Sequence, residues 1–297
     1  MGIPFASYVT RIVCVLVSTT YLVGAIAMGA TSEPVHTINQ WKLYPYTSGI
    51  IESFLRDRGY LGEKKFTGDI TRNSDGSALR FFFWDEKKAI VASCDGSVKE
   101  VELKGDRVWL NDESKIVAWR QGTITHFSNG AQREGGHQAD PSGRYFSEIP
   151  LWSRNIPMRD TIEIYATERP TVPLAKIQIL DSLTRLFVKD DKVIVIGPEI
   201  GNRNILAVHI FQERGASLSE LEKLRILRPK ERPSPFYVED LSPWSDEVLL
   251  VDVQDFPFQS KWYIFNLATQ EIKLLGNRSS YGFYLKCDVI NSARETQ

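Results

Sequence analysis

Most catalytic signatures are missing from this chain. It has no GxSxG nucleophile elbow, which excludes a serine hydrolase of the prolyl-oligopeptidase type. It has no HExxH, no GxxxxGK[ST] and no GxGxxG, so zincin, P-loop and dinucleotide-binding chemistry lack their motifs. Asp75-Gly76 and Asp95-Gly96 lack the residue that an Asp-box places between Asp and Gly, which removes the sialidase signature. Cysteine is scarce. The three present, Cys14, Cys94 and Cys287, are too few and too widely spaced for a disulfide framework or a CxxC zinc site. Charge of either sign barely dominates: 36 basic against 37 acidic residues give a net charge of -1. Nucleic-acid binding needs a clustered basic surface, and the one basic run, Arg225 to Arg232 (RILRPKER), reads as a solvated strand end and loop. Neither a cofactor nor a metal is implied.

Long apolar runs are also absent, with one exception. Arg11 is the only charge in the first eleven residues, and Ile12 to Ala30 (IVCVLVSTTYLVGAIAMGA) is uncharged. A basic start, an apolar stretch and small residues at Ala25-Ile26-Ala27 describe a signal peptide. The run is long enough that an uncleaved membrane anchor is the alternative. Both put the remaining residues outside the cytoplasm, secreted, periplasmic or anchored by residues 12–30. The expected organisation is residues 1–30 as this segment, 31–68 as an N-terminal segment and 69–297 as the main domain.

What is present is a succession of short apolar runs. Ser48 to Gly59 (SGIIESFLRDRG) is the one helical stretch. Ile50 with Phe54 and Ile51 with Leu55 make an i, i+4 stripe, Ser48 serves as N-cap and Gly59 as terminator. From Leu79 onward strands follow at close spacing: RFFFW, AIVA and VKEVEL, then RVWL, KIVAW and TITHF. The Asp95-Gly96 step between two of them is a hairpin signal, because glycine takes the positive φ of a tight turn. Asn129 to Gly143 (NGAQREGGHQADPSG) reads as a polar, Gly-rich loop. Ser217 to Leu227 reads as a helical turn running into a strand, since Ser219 and Glu222 form a capping-box pair. Phe283 to Ile290 reads as a lone last strand.

Strands joined by two to five turn residues with no helix between them are antiparallel neighbours. Asp140-Pro141-Ser142-Gly143-Arg144, Lys189-Asp190-Asp191-Lys192 and Ser242-Pro243-Trp244-Ser245-Asp246 then recur before or between apolar runs, roughly fifty residues apart, a period that marks a propeller. The most legible unit is Phe236 to Gly276, four apolar runs separated by turns. Its SPWSDEVLLVDV and WYIFNLATQEIKLLG resemble a blade of secreted TolB-like or WD40-like β-propellers, with Trp244-Ser245 where Asp-Gly is usual. The fold class expected is therefore all-β, a propeller of four-stranded antiparallel blades. About 265 residues at roughly 45 per blade make six blades, or alternatively five.

A ring brings its ends together. The last strand is then expected to complete the blade begun near Leu79, and Cys94 and Cys287 either bond or stay as two buried thiols. The resemblance covers many functions and carries over no site residues. His126 and His209 fall in strands and read as packed; His36 precedes them, and His137 lies near Asp140 in the Gly-rich stretch. Asp252 and Asp255 are candidates for a channel lining, and Trp152 and Trp244 for exposed loop aromatics or for packing between blades. Two readings follow. One is a non-catalytic propeller that binds a protein or glycan. The other is a hydrolase or lyase on carbohydrate or peptide, with carboxylates at the channel mouth.

Overall fold

In the computed structural model the described residues are 36–38, 41–149, 161–179, 184–227, 236–252, 260–278 and 280–295. The N-terminal run, Trp152 and Asp255 lie outside them. Among the described residues no helix is long and apolar enough to cross a membrane. Residues 31–297 form one compact unit, a β-propeller of five four-stranded antiparallel blades.

The described elements begin with β1 (His36–Ile38), β2 (Trp41–Tyr46) and helix α1 (Ser48–Asp57). Blade one is β3 (Ile70–Arg72), β4 (Ala78–Phe83), β5 (Lys88–Ser93) and β6 (Val98–Glu102). Blade two is β7 (Arg107–Leu110), β8 (Ile116–Gln121), β9 (Ile124–Phe127) and β10 (Gln132–Glu134). Blade three is β11 (Gly136–Ala139), β12 (Tyr145–Ile149), β13 (Thr161–Ala166) and β14 (Ala175–Gln178). Blade four is β15 (Arg185–Lys189), β16 (Lys192–Glu199), β17 (Asn202–Arg214) and β18 (Ser217–Leu227). Blade five is β19 (Phe236–Leu241), β20 (Glu247–Asp252), β21 (Lys261–Asn266) and β22 (Ile272–Asn277). The chain ends with β23 (Tyr281–Leu285) and helix α2 (Val289–Glu295).

Each blade is a plain meander, so its first strand lies nearest the axis and its first-to-second-strand turn projects from one face of the disc, called here the upper face. The blade read most clearly from sequence is the fifth, and its four apolar runs are its four strands. Of the two blade counts that spacing allowed, five is the number of four-stranded blades. The remaining position is filled by a three-stranded sheet, β1-β2-β23, built from both ends of the chain.

That sheet corrects one expectation. The last strand pairs with Trp41–Tyr46, with Tyr44 opposite Phe283, and not with the blade begun near Leu79. The Trp41–Tyr46 strand was hidden by its mixed pattern and by Pro45. Pro45 is tolerated because β1 pairs only as far as Leu43, which leaves the proline nitrogen on an open edge.

Buried clusters fill the six junctions between sheets. Leu43, Leu249, Val251, Trp262 and Tyr284 join the closing sheet to blade five. Tyr44, Tyr46, Phe81, Phe83, Phe283 and Leu285 join it to blade one, together with Ile51, Phe54 and Leu55 of α1 and Val289, Ile290 and Ala293 of α2. Cys94 and Cys287 are bonded at this second junction.

Four further details depart from the sequence reading. Thr47, not Ser48, caps α1, its hydroxyl accepting from the Ile50 N–H. Residues 217–227 are strand throughout, because every second side chain near its ends (Leu218, Leu224, Ile226) is buried against blade three or five while the rest face water. The stretch 129–143 is not one loop but holds β10 and β11, edge and axial strands too short and polar to show alternation. The last run ends as a strand at Leu285, and a second helix follows.

Turn chemistry agrees with the residues present. Asp190 and Asp191 both take positive φ, 48° and 59°, between the paired Lys189 and Lys192, as a two-residue hairpin requires. Gly76 has φ 65°, and a Cβ there would lie 2.5 Å from the Trp244 ring and 2.7 Å from the Tyr284 carbonyl. Gly76→Ala is expected to destabilise by about 2 kcal/mol, seen as a lower urea midpoint; an unchanged midpoint would mean the Trp244 packing is loose.

Candidate functional site

Two sets of charged residues stand out, one along the axis and one in a cleft on the upper face. They differ in how much bonding capacity is left over.

At the axis, charges hold the ring together. Arg72 ends β3 and Asp240 lies on β19; both are buried, and the guanidinium meets the carboxylate at 2.8–3.0 Å. The same guanidinium donates to the Asn73, Ser74 and Leu241 carbonyls. Arg80, 2% exposed, donates to the carbonyls of Leu110, Asn111 and Pro141, linking blade one to blades two and three. Burial lowers its pKa to about 10, with Asp112 and Asp140 opposing the shift.

A bulge in β19 between Val238 and Asp240 aims two successive carboxylates at the closing strand. Glu239 accepts from the Gly282 N–H at 2.7 Å and Asp240 from the Tyr284 N–H at 2.9 Å. Carboxylates thus take the place of a backbone ladder along the inner edge of β23. Glu239 also accepts from Trp262 Nε1 and Arg278 Nε, yet burial outweighs these partners and raises its pKa.

Toward the lower mouth, Asp69 accepts from Trp84 Nε1 and from Arg107 at 2.8 Å. Arg185, on β15, lies close enough to feel the charges of Asp69 and Glu239. Burial lowers its pKa, and the two acids oppose that. In the amide orientation that its neighbours require, Gln138 accepts from Arg185 Nη1 at 2.8 Å and donates to the Thr184 carbonyl.

The cleft is different. It has a volume of about 480 Å³ between the upper turns of blades two and three, with Glu213 of blade four closing one side. Glu213 reaches it because the β17–β18 hairpin runs two rungs past the β15–β16 turn, with Glu213 opposite Leu218 and Arg214 opposite Ser217. Tyr145 donates to Glu213 Oε2 at 2.8 Å, and its pKa is pushed up to about 12 by burial and by that bond. Arg144 and Arg169 each stop 3.9 Å from a Glu213 oxygen, one on either side. Both guanidinium groups are half-exposed, and among the described residues neither makes a hydrogen bond. Each carries five donors, so the cleft holds unspent capacity for an anion.

The turn presenting Arg144 is rigid. Asp140, 3% exposed, accepts from Ser142 N at 2.7 Å, from the Ser142 hydroxyl and from Tyr145 N at 2.8 Å. Gly143 at φ 71° completes the turn. Burial raises the Asp140 pKa, and the Ser142 and Tyr145 bonds oppose it. Because the folded pKa lies above the unfolded one, the native state holds a proton that the unfolded chain has released between the two values. Stability from this group therefore falls as pH rises through that window. In blade one Asn73 makes the bond matching that to Tyr145, accepting from Ala78 N, while its amide nitrogen donates to Asp75 and Ser77. Asp140→Asn is therefore expected to stay within about 1 kcal/mol of the parent at neutral pH and to flatten this slope; urea titrations across pH test it, and an unchanged slope would assign the slope to other groups.

The structure disperses the residues singled out from sequence. His126 stacks on Trp119 at 5.4 Å on β9. His209 is buried on β17 with Nδ1 2.6 Å from Glu220 Oε1, and stacks on Phe211. His36 and His137 lie on β1 and β11. Asp252 is buried at the end of β20. Trp244 packs against the junction of blade five with the closing sheet and reaches over Gly76 of blade one, the packing role that was its alternative. Among the described residues no group of three His, Cys, Asp or Glu is placed to hold a metal ion. Arg144, Arg169 and Glu213 escaped the sequence reading, since no motif joins a turn arginine, a Pro-flanked arginine and a strand glutamate.

No protein-family model and no curated protein matches the chain. Among solved structures it is similar to the hydrazine synthase of Kuenenia stuttgartiensis, at 13% identity and TM-score 0.42, over 75% of this chain and 71% of that one. It is similar to the β-propeller domain of the Trilobed protease from Pyrococcus furiosus at 13% identity and TM-score 0.35, over 70% of each. The WD40 domain of SCAP from fission yeast aligns at 13% identity and TM-score 0.32, over 80% of this chain and 46% of that one. Likenesses at this level carry nothing about ligand or activity.

Proposed function

We propose that the chain is an extracytoplasmic, non-catalytic binding propeller that holds a protein or glycan partner at the upper-face cleft. The observation carrying this reading is the contrast in spent and unspent bonding. The axial charges are committed to the ring: Arg72 to Asp240, Arg80 to three carbonyls, Glu239 to Gly282, Trp262 and Arg278. The cleft guanidinium groups make only 3.9 Å approaches to Glu213 and, for Arg144, a contact over the Tyr145 ring at 5.4 Å, with no hydrogen bond among the described residues. Placement outside the cytoplasm is supported by the Cys94–Cys287 bond, which persists in oxidising compartments, and by the apolar run before Thr31.

The hydrolase or lyase reading draws on Asp69 and Glu239 at the channel. Both already serve protein donors, which leaves less capacity for acid–base work. Affinity capture with the tagged protein, run beside a cleft-filling Ser128→Trp variant, tests the binding reading. A partner retained by the parent and lost by the variant is expected. Equal recovery from both would contradict the cleft as the site, and turnover of a model glycoside or peptide by the parent would favour the enzyme.

A further inference from the structure

Resting on the binding reading, we infer that the cleft takes a saccharide carrying a carboxylate, with Arg144 and Arg169 as the paired contacts for its acid group. Three observations lead there. First, the two guanidinium groups reach the cleft wall from different turns, β11–β12 and β13–β14, and each stands 3.9 Å from a Glu213 oxygen, outside hydrogen-bond distance. Planar forks of this kind match carboxylate geometry, and bidentate pairing is the strong mode of charge-assisted hydrogen bonding.

Second, Glu213 sits between the arginines and prevents a highly charged ligand from being the best fit. Glu213 and Glu168 together set two carboxylates against two guanidinium groups, so the wall carries no net positive charge. A polyanion or a dianionic phosphate gains nothing from such a wall; one carboxylate is held by the planar guanidinium forks rather than by net charge.

Third, the rest of the lining suits hydroxyl groups. Among the described residues the Ser128 hydroxyl, the Asn111 amide nitrogen and the Glu168 carboxylate make no hydrogen bond, and they supply donors and acceptors around the acid position. Large exposed apolar side chains, which a peptide would use as anchors, are missing from the wall; Val117 and Ala166 are its apolar part. The volume of about 480 Å³ falls in the range of roughly 300–1,000 Å³ for small-molecule sites.

Calorimetric titration of the full chain tests this with four probes: galacturonate, its methyl ester, tri-glutamate and inorganic phosphate. The acid is expected to bind at least ten-fold more tightly than the ester, and more tightly than tri-glutamate or phosphate. Arg144→Gln with Arg169→Gln is expected to abolish that ten-fold preference, and Glu213→Gln to tighten the acid several-fold by removing its competitor. Both arginines are surface residues, and the Arg144→Lys variant, expected to lose only part of the preference, guards against a folding artefact. The inference is overturned if the ester equals the acid, if the double variant keeps the preference, or if tri-glutamate or phosphate matches the sugar acid. It is overturned too if no probe binds. Equal binding of acid and ester that Ser128→Trp abolishes would discard this ligand class and leave the cleft-binding reading intact. Failure of every probe together with failure of partner capture would remove both.

Discussion

Replacing Cys94 and Cys287 together by serine is expected to lower the unfolding free energy by about 4–5 kcal/mol. The bond joins residues 193 apart in sequence. Cross-linking removes loop-closure entropy from the unfolded chain, and the gain rises with the logarithm of loop length, so a loop of this size stands at the upper end of the range. Its position matters as much as its length. Cys287 lies two residues past the end of the last strand and Cys94 in the β5–β6 turn of blade one, so the bond clamps the closing sheet to the first blade. The Lys286 N–H donates to the Gly76 carbonyl beside it, and Lys286 pairs with Asp75 at 2.5 Å. Without the bond, β23 is held by its pairing to β2, by the carboxylates of β19 and by the junction packing. Opening should therefore start there. Hydrogen exchange is expected to show β2, β23 and α2 losing protection before blades two to four. Alkylation without reductant should label neither cysteine in the native parent. Two labelled thiols, or a variant of unchanged midpoint, would contradict the clamp.

Asp240→Ala is expected to cost about 3–5 kcal/mol, because it strands a buried guanidinium. Arg72 and Asp240 have side-chain exposures of 4% and 5%, and the carboxylate also serves the Tyr284 and Leu241 N–H groups. Removing the acid leaves a charge and two amides short of acceptors in a place water does not reach easily. The paired replacement, Arg72→Met with Asp240→Leu, is expected to cost less than the sum of its single changes, with a coupling of about 2 kcal/mol. Urea unfolding of the four proteins of that cycle measures it. Additive losses would mean that Arg72 is satisfied by its carbonyls alone.

Blade five was legible because its second and third strands, Glu247–Asp252 and Lys261–Asn266, are apolar and bounded by turn residues. Blade one was legible through its Asp-Gly turns. What failed has common causes. The closing sheet pairs Trp41–Tyr46 with Tyr281–Leu285 across almost the whole chain, and no local pattern records a partner so distant. Ser217–Leu227 carries a helix-start signature in Ser219 and Glu222, which the pairing to β17 overrides. The polar strands β10 and β11 bury little, so hydrophobic periodicity has nothing to report there. The cleft was illegible for another reason. Arg144 sits beside the recurring Asp-Pro-Ser-Gly turn, but its significance depends on Arg169 and Glu213, which a second turn and an overhanging hairpin bring to it.

The central claim is a division of labour: charges at the axis hold the ring, and charges in the cleft bind. One comparison tests it most directly, the affinity of the Arg144→Gln/Arg169→Gln protein for the captured partner, measured alongside its urea midpoint. The predicted result is a midpoint equal to the parent's and binding weakened at least ten-fold, about 1.4 kcal/mol or more. Binding retained at parental strength, with the midpoint unchanged, would contradict the account.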